Sequence, residues 1–262
     1  MSTVRLTDEQ LADFGRDGFL NAGRVFSEGE LAEIGGEYDR LVTADSQTLG
    51  NDRDGRYPYR AMMQFRSPAL RSYINHPELI ELGLQLVGPD LRCWWDQGIN
   101  KSPGAGSHID WHQDNGYQSG SLPEYLTFWL ALDDSDLENG GLLVVPGSQA
   151  TGLRAHELRG VHWVISDIDE SGADEPGAVS LEAKAGELLV FSSMLVHKTV
   201  GNHSADRQRR AWVIQYAPGD ASNDETGEVY DNRAWVARDG QRVEEPWSER
   251  RFDLARNALD EG

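Results

Sequence analysis

Apolar positions recur along this chain with two different periods, and the change falls near residue 90. Upstream of it the spacing is helical. Leu31, Ile34, Tyr38 and Leu41 return at three- and four-residue intervals, the stripe of an amphipathic helix. Thr7 followed by Gln10, and Ser27 followed by Glu30, have the spacing of capping boxes, so the first forty residues read as helical with breaks at Gly18 and Gly23. "HPELIELGLQLVG" (76–88) predicts a further helix, ended by Gly88-Pro89. Between these, "TADSQTLGNDRDGRYPYR" (43–60) is polar and punctuated by Gly and Pro, which predicts a loop.

From Leu91 onward the texture becomes that of short strands. "LRCWWDQGIN", "HIDWHQD", "EYLTFWLALDD", "GGLLVVPGS", "GAVSLEA", "GELLVFSS", "LVHKTV" and "RRAWVIQYA" are rich in β-branched and aromatic residues, with Gly, Pro, Asn or Ser between them. Strands of this length suit a sandwich or jelly roll better than a parallel α/β sheet. A single domain over 1–262 is expected: a mainly helical part (1–90), a β core (91–218) and a charged tail (219–262). In the tail, Trp235 and Trp247 are candidate anchors over one end of the barrel.

Charge narrows the possible partners. With 24 Lys+Arg against 44 Asp+Glu the formal net charge is −20, which repels phosphate backbones and anionic lipid. A small-molecule substrate is expected, with no nucleic acid and no membrane. The single cysteine, Cys93, sits in an apolar run and reads as a core residue in a reducing cytoplasm. "MSTVRLTDEQ" has no apolar core of signal-peptide length and no later stretch is long enough for a membrane helix, so a cytoplasmic protein is expected.

Candidate chemistry centres on "HIDWHQDNG" (108–116), which contains His-x-Asp twice. On a strand, residues two apart share a face, so either pair presents an imidazole and a carboxylate together. A non-haem Fe(II) centre takes two imidazoles and one carboxylate and leaves adjacent positions open. His197, in the strand-like "LVHKTV", is the best candidate for the distant third ligand. Parity cannot separate the two pairs, because 108, 110, 112 and 114 are all even. Position favours His112 and Asp114: His108 follows the turn-like "KSPGAGS" and reads, with Asp110, as a rim residue facing either solvent or substrate. A chelating keto acid such as 2-oxoglutarate carries a second carboxylate that needs a buried cation. Arg207, Arg209 and Arg210 follow His197 at the entry to the next strand, and Thr199 shares its side of the strand. His76, His156, His162 and His203 read as surface or loop residues.

"WHQD", "FWLALDDSDLENGGLLVVPGSQ" and "AGELLVF…VHKTVGNHS…RRA" together resemble the phytanoyl-CoA dioxygenase family, as do the opening "LTDEQLADFGRDGFL" and "FSEGELAEI". The resemblance spans about residues 5 to 218. It implies a mainly β fold with flanking α-helices, the double-stranded β-helix (jelly roll, cupin-like), and a dioxygenase using Fe(II), 2-oxoglutarate and O2. It places the metal ligands on His112, Asp114 and His197, and the co-substrate on Arg209, with Trp129 and Asn100 nearby. Two departures stand out. Gln149 follows "PGS" where the family commonly has His, and the His197-to-Arg209 interval is one residue longer than the family's, which keeps Arg210 and Arg207 open as anchors.

A carboxylate at Asp114 fills the position that halogenating relatives leave to chloride, so hydroxylation or another oxidation is expected. The substrate wall is expected from Trp95, Gln97, Tyr117, Arg66, the 43–66 segment and the tail. The acidic surface argues against a CoA thioester. The rival expectation is a jelly-roll metal protein without oxygenase activity, or with lyase or isomerase chemistry.

Overall fold

The computed structural model describes residues 4–49, 59–117, 123–160, 162–168, 175–223, 227, 229–230 and 233–243, with side chains at all of these except 45–49 and 59. In chain order the elements are α1 (Asp8–Asp17), β1 (Phe19–Arg24), α2 (Glu28–Leu49), β2 (Tyr59–Ala61), α3 (Pro68–Ile74), α4 (Pro77–Leu86), β3 (Leu91–Lys101), β4 (Ile109–His112), β5 (Leu126–Ala131) and β6 (Leu142–Val144). There follow β7 (His156–Arg159), β8 (His162–Ile165), β9 (Val179–Leu181), β10 (Glu187–Ser192), β11 (His197–Thr199), β12 (Arg209–Pro218), β13 (Trp235–Arg238) and β14 (Gln241–Arg242).

Two antiparallel sheets form the jelly roll. The larger runs β1-β10-β5-β12-β3-β13-β14 with β2 also on β3, and the smaller runs β4-β11-β6-β9. Strict alternation explains how they stack. Phe128, Leu130, Leu188, Val190, Trp212 and Ile214 point to one face of the larger sheet and pack with Ile34, Tyr38, Leu70, Ile74 and Leu79 of the helices. Their neighbours Trp129, Ala131, Leu189, Phe191, Ala211 and Val213 point to the other face and meet Leu142 and Val144 of the smaller sheet. The larger sheet is therefore apolar on both sides, which is why β5 and β10 read as near-continuous apolar runs.

The eight strands expected from sequence are all present, within a residue or a few at each end. Other segments differ from expectation. α1 carries its Thr7–Gln10 capping box but stops at Gly18, whose φ of 83° is left-handed. "FLNAGR" then forms β1 on the open edge of β10 instead of continuing the helix. α2 starts at the expected Ser27–Glu30 box, with Ser27 N donating to Glu30 Oε2 at 2.8 Å, and runs on through Leu49 into the stretch expected to be loop. Residues 50–58 and Trp247 of that reading lie outside the described residues. α3, capped by the Ser67 hydroxyl, was not anticipated. In the tail, β13 pairs with β3 and Trp235 lies 3.8 Å beneath the Arg92 guanidinium.

One irregularity shapes the mouth of the barrel. The β12–β3 register shifts between Gln215 and Tyr216, pairing Gln215 with Trp95 and Tyr216 with Cys93. Trp94 is thereby bulged out of register. It joins Trp95, Tyr125 and Tyr230 in a small aromatic cluster, while Cys93 packs into the helix-side core.

Candidate metal and co-substrate site

His112 closes β4 and His197 opens β11, and the two are direct register partners across the smaller sheet. Their rings are 4.1 Å apart between centroids. Asp114 follows in a 3-10 turn (Asp114–Tyr117), its Oδ1 3.7 Å from His112 Nε2 and 3.6 Å from His197 Nε2. Each imidazole is oriented by its own strand: His112 Nδ1 bonds the Asp110 carbonyl at 2.7 Å and His197 Nδ1 the Leu195 carbonyl at 2.9 Å. A carbonyl only accepts, so Nδ1 carries a hydrogen in each ring and Nε2 is the nitrogen left facing Asp114. Burial, helped by the neighbouring His197, pushes the His112 pKa well below the ordinary histidine value, which keeps the ring neutral. Two imidazole nitrogens and one carboxylate oxygen, all within 4.8 Å of one another, suit a first-row divalent ion such as Fe(II).

The connecting residue Gln113 is fully buried and holds the turn from three sides. Its Nε2 donates to the Gly152 and Met194 carbonyls at 3.0 and 2.6 Å, and its Oε1 accepts from Arg154 N at 2.8 Å. His156 Nε2 accepts the Gln113 backbone N–H at 3.0 Å, while its Nδ1 bonds the Arg154 carbonyl at 2.8 Å. A side chain at Gly116 would collide with the His156 ring. His156 is thus a brace for the metal turn, not the loop residue expected.

Beyond the triad lies a buried pair of cations. Arg209 is fully buried, with Nη2 donating to the Gly140 carbonyl at 2.7 Å and no hydrogen-bond partner for Nε or Nη1. Its guanidinium stands 5.5 Å over the Trp129 ring, and the buried Trp129 Nε1 also lacks a partner. Lys101, its register partner on β3, is equally buried and donates to Thr199 Oγ1 at 2.8 Å and to the Val200 carbonyl. Burial lowers both, Arg209 to about 10 and Lys101 well below its usual value, where the Arg209 charge adds to the effect. Two desolvated cations with unused donors fit a carboxylate. Thr199 stands two residues past His197, about 7 Å of strand, roughly the reach of a five-carbon diacid from a metal.

The neighbouring arginines are already engaged. Arg207 binds Asp136 and Glu138, and Arg210 binds Asp133 and Asp39 on the helix side of the sheet. Of the three arginines, Arg209 alone turns inward. Trp95 and Gln97 also face inward, opposite Gln215 and Val213, with Trp95 Nε1 donating to Gln97 Oε1 at 3.1 Å. Tyr117 meets the His112 ring edge-on at 5.3 Å. Two expected residues stand elsewhere. Asn100 pairs with Arg210, so strand alternation turns it to the helix side, where it accepts from Gln208 Nε2 at 2.7 Å. Arg66 is exposed at the end of the 3-10 turn before α3, its carbonyl near Arg40. His108 and Asp110 sit at the rim, 3.3 Å apart and 59% and 45% exposed.

Sequence reasoning missed Lys101, Thr127, Gln215 and Gln113. Thr127 Oγ1 donates to Asp114 Oδ2 at 2.6 Å and Gln215 Nε2 donates to the same oxygen at 3.0 Å. Strand parity was the available signal: Lys101 shares a face with Gln97, and Gln215 shares one with Arg209. Gln149 has a structural task, donating to the Gly15 and Arg16 carbonyls left open at the end of α1.

A family model described as phytanoyl-CoA dioxygenase matches residues 14–211. A phytanoyl-CoA dioxygenase of Arabidopsis thaliana is 33% identical over 122 residues, covering 47% of this chain and 43% of that protein, so the match spans less than half of that relative. The ectoine dioxygenase of Nocardia farcinica is 28% identical over 221 residues, covering 74% of this chain and 72% of that protein. Among solved structures, the non-heme monooxygenase ThoJ superposes with a TM-score of 0.71 at 24% identity, covering 95% of this chain and 92% of that one, a likeness of fold.

Proposed function

This chain belongs to the phytanoyl-CoA dioxygenase family and is a dioxygenase that uses Fe(II) and 2-oxoglutarate, and from that premise we propose that it hydroxylates an unactivated C–H bond of a small metabolite. Bound iron and 2-oxoglutarate supply the oxidation: 2-oxoglutarate, O2 and R–H give succinate, CO2 and R–OH. His112, Asp114 and His197 hold the metal. Arg209 and Lys101 bind the distal carboxylate of 2-oxoglutarate, Thr199 orients Lys101, and Trp129 walls that end of the cavity. Trp95, Gln97 and Tyr117 face the substrate and exclude water from it. A carboxylate at 114 keeps chloride from that position.

The observation that carries this reading is the Lys101–Arg209 pair, two buried cations on neighbouring strands of the larger sheet, across the sandwich from the triad histidines. A plain metal-binding jelly roll has no use for them. The substrate reading rests on charge: 44 acidic against 24 basic residues disfavour the phosphates of CoA, and the related ectoine dioxygenase is named for a small metabolite.

Anaerobic addition of Fe(II) and 2-oxoglutarate should give the weak visible charge-transfer band of the chelate. Succinate release across a panel of amino-acid derivatives, compatible solutes and natural-product intermediates, each assayed with Fe(II), 2-oxoglutarate and O2, should then identify the substrate. A wild type that gives no band, or one whose metal binding is indifferent to 2-oxoglutarate and to Arg209→Ala, would sink the proposal.

A further inference from the structure

We propose that Thr127 and Gln215 are positioning residues that make Asp114 a one-oxygen ligand. This inference rests on the reading that His112, Asp114 and His197 hold a metal. The two oxygens of Asp114 live in different surroundings. Oδ1 faces Nε2 of both histidines, at 3.7 and 3.6 Å. Oδ2 accepts from Thr127 Oγ1 at 2.6 Å and from Gln215 Nε2 at 3.0 Å. Gln215 Nε2 also lies 3.2 Å from Thr127 Oγ1, closing a triangle.

Donor accounting fixes the direction of every bond in that triangle. A threonine hydroxyl has one hydrogen, and the 2.6 Å contact to a carboxylate takes it. Its lone pair then accepts from the Gln215 amide, and because Thr127 Oγ1 and Asp114 Oδ2 lie side by side as seen from Gln215 Nε2, one amide hydrogen is shared between them. A metal reaching Oδ2 would have to displace two donors to a charged acceptor, the stronger class of hydrogen bond. Asp114 therefore offers Oδ1 alone, and the coordination positions that a two-oxygen carboxylate would take stay open for 2-oxoglutarate and O2.

The triangle also crosses the sandwich. Asp114 follows β4 of the smaller sheet, whereas Thr127 and Gln215 are register partners on β5 and β12 of the larger one. Gln215 and Arg209 share a strand and a face. One strand thus aligns the metal carboxylate with the co-substrate anchor.

The test is an anaerobic titration of metal-free protein with Co(II), whose visible bands report both affinity and coordination number. Wild type, Thr127→Val, Thr127→Ser, Gln215→Met and the Val/Met double variant are compared, with thermal unfolding of the metal-free proteins as the folding control. Loss of a hydrogen bond to a metal-ligating carboxylate typically lowers affinity about 10- to 100-fold. Thr127→Val and Gln215→Met should each fall in that range with altered bands, Thr127→Ser should restore both properties, and the double variant should lose less than the product of the single losses.

Variants that bind Co(II) with wild-type affinity and bands would overturn the positioning role while leaving the metal site intact. So would a Thr127→Ser protein as impaired as Thr127→Val. A wild type that binds no Co(II) would overturn the metal reading and this inference with it. If Thr127→Val fails to fold, Gln215→Met and Thr127→Ser still decide the question.

Discussion

Replacing Arg209 with Met should stabilise the protein in the absence of 2-oxoglutarate and abolish its response to 2-oxoglutarate. The first effect follows from burial. Moving the guanidinium pKa from 12.5 to about 10 means that the charged form is disfavoured in the fold. At 1.36 kcal/mol per pKa unit the penalty is about 3 kcal/mol, present at every pH below the lowered value. Met fills similar volume without charge. It forfeits the bond to the Gly140 carbonyl, a loss of about 1 kcal/mol, so the net gain is about 2 kcal/mol. For a chain of this size that raises the melting temperature by about 5 °C.

The second effect has the opposite sign. Removing one partner of a buried charge pair costs about 3–5 kcal/mol, so the affinity for 2-oxoglutarate should fall by about two to four powers of ten. Thermal unfolding of both proteins with Mn(II), over a series of 2-oxoglutarate concentrations, measures both effects. An Arg209→Met protein that melts below wild type without 2-oxoglutarate, yet gains stability at the same concentrations of it, would refute the argument.

Asp96 points away from the site, beneath the helices, and burial raises its carboxyl from 3.8 to about 7. A raised acid contributes stability that is complete below its unfolded pKa and lost as pH rises through the folded one. Wild-type stability should therefore decline by about 4 kcal/mol between pH 4 and 7 through this group, and Asp96→Asn should remove that slope in denaturant titrations. His156→Ala leaves the buried Gln113 N–H without its acceptor, which should lower stability by about 1–3 kcal/mol and weaken Co(II) binding, read by chemical unfolding and metal titration. Tyr117→Ala should raise the KM for substrate at least several-fold with 2-oxoglutarate affinity unchanged; parallel loss of both would remove Tyr117 from the substrate wall.

The sequence was most informative where one-dimensional spacing equals three-dimensional proximity. Alternation along β5, β10 and β12 marks both of their faces, and the His112–Asp114 pair is local. Arg209 was one of three candidates until strand facing sorted them: Arg210 turns to Asp133 and Asp39, Arg207 to Asp136 and Glu138. Lys101, Thr127 and Gln215 were hidden because what makes them matter is a neighbour far along the chain. β1 was misread because an edge strand pairs on one side only and tolerates the weak strand formers Asn, Ala and Gly. The extension of α2 was missed because "TADSQTL" shows no apolar stripe, and Asn100 because resemblance says nothing about strand parity.

The direct pairing of His197 with His112 has a consequence for how the protein reaches its fold. A slip of one residue between β11 and β4 would turn His197 outward and Lys198 inward. An ammonium would then face the ring of His112, and no ion could be held there. Metal binding is thus a check on strand register, open only to chains paired correctly. Mn(II) present during refolding from denaturant should increase the yield of native protein by depleting the misregistered population, and a chelator should reverse the gain.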